Sequence, residues 1–300
     1  MKNFIYKSIV FSLPLIGFIV FLEISLRSIP NSYELKKSYL DDNSEFIQVL
    51  ILGSSHASMG VVPDCFDAKA YNAAMTSQSL EIDYEILKNY ETRLKNLVSV
   101  ILPIDYFSLT SSLKNSVESW RVKDYIMYYD LPIKSSLKHE SEVLSHSLKH
   151  NLKRFRNYYI DKKSEIYYTD DGNEIFKEDH QVFDLATSGI RAADRHTTSS
   201  YDNYRENLKI LSMIVSMCQK NNWHLLLYTS PGHETYYNLL DSIQLALTIT
   251  SVDSLAGIYK NCEYFNFLKD TSYHSSDFYD GDHLNEYGAR KLSKKLNELF

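Results

Sequence analysis

Two short polar motifs near opposite ends of the chain carry residue types that could perform nucleophilic chemistry. Segment 53–56 reads Gly-Ser-Ser-His and follows the apolar run 46–52, and Asp280 and His283 stand three residues apart near the C-terminus. A serine just past a buried strand lies at the carboxyl end of a sheet, where the N–H groups of a following helix can stabilise an oxyanion. An Asp-x-x-His turn can hold the carboxylate against one imidazole nitrogen and leave the other nitrogen facing outward.

Each motif by itself also has an ordinary structural interpretation. A serine after a glycine at the end of a strand is most often a turn residue or a helix cap. An Asp-x-x-His segment before a helix is most often a polar helix start, with Asp282 and Asn285 as the capping residues. The two motifs together are more specific than either one alone.

Apolar runs and helical periodicities between the motifs predict alternating strands and helices. This alternation is typical of an α/β fold with a parallel sheet. The predicted strands are 46–52, 70–74, 97–102, 224–228 and 263–268, and the predicted helices are 82–97, 201–220 and 285–298. The Tyr- and Lys-rich stretch 110–200 interrupts the alternation. We interpret it as a helical insertion over the carboxyl edge of the sheet, where α/β proteins bind ligands.

The N-terminus predicts a membrane segment. Residues 4–22 are apolar apart from one lysine, which is close to the length of a membrane-spanning helix. Lys2 and Lys7 place the N-terminus in the cytoplasm and the rest of the chain outside it, in the periplasm or at the cell surface. The alternative is a cleaved signal peptide, but no small-x-small cleavage site follows Leu22. We therefore favour an uncleaved, single-pass signal anchor.

This interpretation divides the chain into three parts. Residues 1–27 form the cytoplasmic N-terminus and the anchor, the polar stretch 28–45 is a linker, and 46–300 form the folded domain with its insertion.

Among 300 residues, 44% are apolar and 23% are charged, which is ordinary globular usage and excludes a disordered or collagen-like chain. The 24 tyrosines reflect either codon usage or a carbohydrate-binding surface.

The charge and the cysteines exclude further classes of protein. The net charge of −6 argues against nucleic-acid binding, which needs a concentrated basic face. Cys65, Cys218 and Cys262 are too few for a small disulfide scaffold and have no metal-ligand spacing, so we predict no structural zinc and no cofactor.

Taken together, the two motifs and the α/β alternation resemble the SGNH (GDSL-like) hydrolase family. Ser55 stands at the position of the family's nucleophile, and Asp280, His283 and Asn285 match its last block. The resemblance covers 46–300 without the insertion. It is strongest to exported, membrane-anchored members such as the D-alanyl-lipoteichoic acid biosynthesis protein and surface-polysaccharide O-acetyltransferases. It implies a flavodoxin-like three-layer fold with a parallel sheet.

The resemblance also implies roles for individual residues. Ser55 would attack an acyl carbonyl, His283 would take and return the proton, and Asp280 would orient His283. The backbone N–H of Ser55 would be one oxyanion donor. The family's second donor is the N–H of a glycine, and Ser77 stands where that glycine belongs.

The third block of the family departs from its pattern here. Segment 103–108 has neither the expected asparagine nor a glycine, and an ionised Asp105 would oppose an oxyanion. Ser108 or Tyr106 could donate a hydrogen bond instead. Losing one such donor typically costs on the order of 10²–10³ in rate.

Four side chains are further candidates for the pocket. His56 follows the nucleophile, although a role at a helix start fits it equally well. Ser108 belongs to the departing third block. His196 precedes a predicted helix, and His233 follows the turn after the strand 224–228, at the carboxyl end of the sheet.

The preferred function is a membrane-anchored serine esterase or O-acyltransferase that acts on O-acyl groups, most simply acetyl groups, of cell-surface glycans. Its partners would be a glycan or acylated carbohydrate and, for transfer, a multi-spanning membrane protein that delivers the acyl donor. The alternative from another class is a non-catalytic glycan-binding or assembly protein on the same fold. A lipase or thioesterase would require an apolar groove, whereas the insertion is polar.

Overall fold

A computed structural model describes residues 2–134, 136–174 and 184–299 of the chain. Its centre is a five-stranded parallel sheet in the order β2-β1-β3-β4-β5. The strands are β1 (Val49–Ile51), β2 (Ala70–Asn72), β3 (Ser99–Pro103), β4 (His224–Thr229) and β5 (Cys262–Asn266). This order is the flavodoxin-like one, so the predicted α/β class with a parallel sheet is confirmed.

Twelve α-helices occur within the described residues. They are α1 (Lys2–Arg27), α2 (Ser32–Asn43), α3 (Ser55–Ser58), α4 (Leu80–Tyr90), α5 (Val122–Met127), α6 (Glu142–Ser145), α7 (Leu148–Tyr159), α8 (Leu185–His196), α9 (Tyr204–Lys220), α10 (Glu234–Tyr237), α11 (Ser242–Ile258) and α12 (Glu286–Asn297). Most of the stretch predicted as a polar linker therefore forms α2. The sequence reasoning also missed α11, whose apolar residues show little one-sided periodicity.

The chain forms two compact units. One consists of residues 1–38 and 119–167, and the other of 39–118 and 168–300, which include the sheet. The predicted insertion 110–200 is therefore shared between the two units. Its central part, 119–167, joins the N-terminal helix in the first unit, whereas its ends belong to the second.

Helix α1 is the described helix that is long and apolar enough to cross a membrane, over Val10–Arg27. Large apolar side chains cover its surface, and Phe11 and Leu15 are 84% and 60% exposed. Side chains of this kind are costly in water but favourable in lipid. The prediction of an N-terminal membrane helix agrees with this finding, whereas its orientation stays a prediction.

Strand β1 ends in a turn that only glycine fits. Gly53 has a φ of +118°, and a Cβ atom there would lie 2.6 Å from Cγ of Pro103. The N–H of Gly53 donates to Oδ1 of the buried Asp83 at 2.8 Å, and Gln78 Nε2 donates to the same oxygen at 2.7 Å. Asp83 on α4 therefore holds the turn that leads into the Ser-Ser-His segment.

We expect Asp83→Asn to stabilise the fold at neutral and alkaline pH. Burial raises the pKa of Asp83 to about 7, although Gln78 and the Gly53 N–H oppose the shift. The folded protein therefore holds a proton that the unfolded chain releases near pH 4, and stability falls as the pH rises from about 4 to about 7. Asparagine keeps the accepting oxygen without the buried charge.

Thermal unfolding of the full chain in detergent micelles measures this effect. The advantage of Asp83→Asn should grow between about pH 4 and pH 7, while Asp83→Ala should be destabilised throughout because the Gly53 N–H loses its acceptor. An Asp83→Asn variant that melts below the wild type at pH 8 would contradict this account.

Candidate active site

The two polar motifs meet at the carboxyl edge of the sheet. Nε2 of His283 lies 2.8 Å from Oγ of Ser55, and Nδ1 of the same ring lies 3.0 and 3.1 Å from the two carboxylate oxygens of Asp280. The carboxylate therefore places the proton on Nδ1 and leaves Nε2 as the acceptor for the serine hydroxyl. This is the hydrogen-bonding geometry of a nucleophile, its base and the group that orients the base.

The local backbone of the second motif explains the position of Asp280. Its Oδ1 accepts the N–H groups of Asp282 at 3.0 Å and His283 at 2.8 Å, so the same carboxylate closes the turn and orients the ring. Gly281 allows a close approach, because a Cβ there would lie 2.3 Å from Cα of Gly189. A side chain at Gly281 would push this turn away from α8, and one at Gly189 would collide with Thr235 of α10.

Tertiary packing carries the turn to the first motif. Phe278 and Leu284 flank the turn, pair through an isolated β-bridge, and are buried in the same apolar cluster as Val49 and Ile51 of β1. At the other end, Ser54 is the N-cap of α3, and its hydroxyl accepts the N–H of His56 at 3.4 Å. The short helix then begins at the nucleophile position.

A buried charge network lies beside the Ser–His–Asp arrangement. Nδ1 of His56 forms an ion pair with Asp105 at 2.9 Å, and Nε2 lies 3.5 Å from Asp282. Burial alone would lower the pKa of His56, but the two carboxylates outweigh it and raise the pKa to about 10. His56 is therefore an imidazolium at neutral pH, held between two carboxylates.

Asp105 does not oppose an oxyanion in the way that its position in the third block suggested. It is buried, and its other oxygen accepts the N–H of Ser230 at 2.8 Å. Its contacts with His56 lower the pKa of Asp105 against the effect of burial. The negative charge is thus matched by the imidazolium.

Asp282 connects this network to the base. One of its oxygens lies 3.5 Å from Nδ1 of His283, and the other accepts a hydrogen bond from Arg195 at 3.2 Å. Burial would lower the pKa of His283, but Asp282 and then Asp280 raise it above its ordinary value. Asp282, which the sequence predicted to be a helix cap, therefore raises the pKa of the base, whereas Asn285 caps α12.

A cavity of about 910 Å³ opens over Ser55. Its described lining includes Ser55, His283, Ser77, Ser108 and His196 among the predicted site residues, but neither His56 nor His233. The structure places both histidines elsewhere. His56 is buried in the charge network, and His233 caps α10 and lies 3.0 Å from the hydroxyl of Ser275.

Three lining residues have distinct local roles. Ser77 adopts the left-handed conformation with a φ of +62°, which glycine favours, and its hydroxyl bonds to Glu118. Ser108 accepts the N–H of Asp105 at 2.9 Å. Burial lowers the pKa of His196 to about 3, so this ring is neutral, and it lies 2.9 Å from the hydroxyl of Tyr236. The oxyanion roles of the Ser55 and Ser77 N–H groups stay predictions.

His56, Asp282 and His283 also present nitrogen and oxygen atoms within 4.8 Å of one another. Metal ligands must be deprotonated, however, and His56 carries its proton between two carboxylates. The arrangement fits a hydrogen-bonded charge network better than a metal site.

Comparisons with known proteins leave the family open. No protein-family model matches the chain, and no curated protein is similar to it. A solved structure provisionally described as that of a platelet activating factor from Streptococcus pneumonia aligns with 97% of this chain and 98% of its own, at 12% identity and a TM-score of 0.46. So distant a likeness bears on neither family nor chemistry, and membership of the SGNH family stays a prediction.

We expect Asp282→Asn to shift the pH dependence of Ser55 reactivity toward lower pH. His283 must be neutral to accept the serine proton. Because its pKa is raised, His283 becomes neutral only at a higher pH than histidine usually does. Removing the charge of Asp282 lowers that pKa. The measurement is the rate of fluorophosphonate labelling of the full chain between pH 5 and pH 9.

Glu286→Gln provides the control, because this carboxylate is exposed on α12 and pairs with Arg290. It should leave the profile unchanged. If Asp282→Asn folds and its labelling rate rises with pH over the same range as that of the wild type, Asp282 does not set the pKa of the base.

Proposed function

We propose that this protein is a membrane-anchored extracytoplasmic serine esterase or O-acyltransferase of the SGNH type, acting on O-acyl groups of cell-surface glycans. The observation that carries the proposal is the continuous hydrogen-bonded series from Ser55 through His283 to Asp280 at the mouth of a large cavity. Each donor and acceptor in this series is matched to the next.

The reaction would proceed through an acyl-enzyme. Ser55 Oγ bonds to the acyl carbonyl carbon while its proton passes to Nε2 of His283, and the resulting imidazolium is stabilised by Asp280. The ester C–O bond then breaks, and His283 protonates the leaving alcohol. In the second half, water or a sugar hydroxyl gives its proton to His283 and attacks the same carbonyl carbon. The bond from the acyl carbon to Ser55 Oγ then breaks, and His283 returns the proton to Oγ.

One part of the cavity lining suits a hydrophilic substrate. Short hydroxyl side chains dominate one part of it: Thr76, Ser77, Ser111, Ser112, Thr198 and Ser199. Such groups both donate and accept hydrogen bonds, as recognition of a polyhydroxylated sugar requires. Met59, Phe107 and Val117 supply apolar surface elsewhere in the lining, where the methyl group of an acetyl ester could pack.

The anchor helix supports a location at the membrane, where surface glycans are assembled. Lys2 and Lys7 at the start of α1 favour a cytoplasmic N-terminus and an extracytoplasmic site. Transfer would need an acyl donor from the cytoplasm, which a single span cannot deliver. A multi-spanning membrane protein is therefore the partner proposed for that reaction.

We expect a fluorophosphonate probe to label the full chain in detergent at Ser55. Ser55→Ala should abolish labelling, and His283→Ala should slow it by on the order of 10³-fold or more, because the hydroxyl then lacks its base. His224→Ala is the matched control, since this histidine lies at the amino end of β4. Folded wild type that does not react would contradict the enzyme proposal and favour the glycan-binding alternative.

We expect acyl transfer to exceed hydrolysis when an acceptor is present. Purified chain would be incubated with an acetyl ester and an unacetylated oligosaccharide, and acetylated sugar and free acetate would be measured by mass spectrometry. An excess of acetylated sugar over free acetate, lost in Ser55→Ala, is the expected result. Free acetate without acetylated sugar would assign hydrolysis instead.

A further inference from the structure

Helix α7 carries an apolar stripe that is only half covered within the described part of the chain. Leu148, Leu152, Phe155 and Tyr159 follow helical spacing and share one face. Phe155 and Tyr159 pack on the cluster formed by the end of α1. Leu148 and Leu152 are 53% and 43% exposed, so the stripe continues beyond its protein partner.

Two contacts define the direction in which the stripe continues. The rings of Phe21 and Phe155 are 5.9 Å apart, and one turn later the Tyr159 hydroxyl donates to the carbonyl of Ser25 at 2.9 Å. The two helices therefore run in the same sense here. Going back seven residues from Phe155 to Leu148 covers about 10 Å and leads toward the turns of α1 that precede Phe21.

Those earlier turns of α1 belong to its membrane-spanning part. The apolar segment begins at residue 4, and about 20 residues cross a hydrocarbon core of about 30 Å. Phe21 therefore lies near the outer end of the span, just before Glu23, the first charged residue that follows the apolar segment. The exposed end of the α7 stripe accordingly points past the lipid interface, toward the outer part of the hydrocarbon core.

The charges of α7 fit the same setting. Lys149, Lys153 and Arg156 each follow a member of the stripe and lie about 100° around the helix from it. All three are exposed, and the α7 sequence contains no acidic residue. A helix with leucines on one face and cations beside them is typical of segments that lie in an anionic membrane interface.

We propose that the first two turns of α7 enter the outer leaflet of the bilayer that α1 spans. Leu148 and Leu152 insert among the acyl chains, while Lys149, Lys153 and Arg156 contact anionic phospholipid headgroups. The proposal requires α1 to span the membrane and does not depend on the chemistry of the active site.

Fluorescence quenching of the full chain in lipid vesicles tests the insertion. Leu148→Cys and Leu152→Cys are labelled with an environment-sensitive dye in a Cys65→Ser background, since the other two cysteines are buried. The vesicles contain phosphatidylcholine and phosphatidylglycerol and no other protein. Ile160→Cys is the matched control, because it is apolar, 65% exposed and at the far end of α7.

The labels at positions 148 and 152 should emit at shorter wavelength than the control, be quenched by nitroxide lipids and be protected from aqueous iodide. Equal iodide quenching at all three positions would overturn the proposal and leave a protein partner as the cover for this face. Lys149→Glu with Lys153→Glu should remove the protection, whereas Lys149→Arg with Lys153→Arg should keep it because the positive charge is retained. Protection that survives charge reversal would overturn the headgroup contact.

Discussion

A hydrogen bond of 2.8 Å joins Ser55 to His283 across 228 residues of chain, and the rest of the second unit is arranged so that this bond can form. Parallel strands bring their carboxyl ends to one edge, so the turn after β1 opens at the edge where ligands meet such sheets. The C-terminal motif reaches the same edge because Phe278 and Leu284 are buried against β1. Glycines at 53 and 281 allow the two approaches at distances that a Cβ atom would prevent.

Burying so many ionisable groups around one serine is tolerable because their charges alternate. Asp105, His56 and Asp282 form a series of negative, positive and negative groups, and Arg195 closes it from the exposed side. An unpaired buried charge would cost several kcal/mol, whereas a hydrogen-bonded pair recovers much of that cost. Asp105 is engaged with His56 in this series and does not line the described cavity.

The first unit contains a separate buried charge cluster. Glu142 lies at its centre, completely buried, and accepts hydrogen bonds from Lys123, Arg154 and Tyr128. Glu23 of α1 accepts the N–H groups that begin α6, so the end of α1 is part of this unit's hydrogen bonding. Helices α6 and α7 therefore pack against the end of α1.

Local sequence pattern was enough to predict the strands of the sheet and the residues that could carry chemistry, although it missed α2 and α11. Apolar runs mark the strands, because a strand buried on both faces admits few polar residues, and the spacing of Asp280 and His283 identifies an imidazole oriented by a carboxylate. The charges that face one another could not be predicted in this way, because tertiary packing brings them together. His56 looked like a pocket residue and Asp282 like a cap, because most of the contacts that define their roles come from distant parts of the chain. His56 pairs with Asp105 and Asp282, and Asp282 pairs with Arg195 as well as with the adjacent His283. Long-range electrostatics depends on distances in space, and those distances are set by the packing of the sheet, the C-terminal turn and α8.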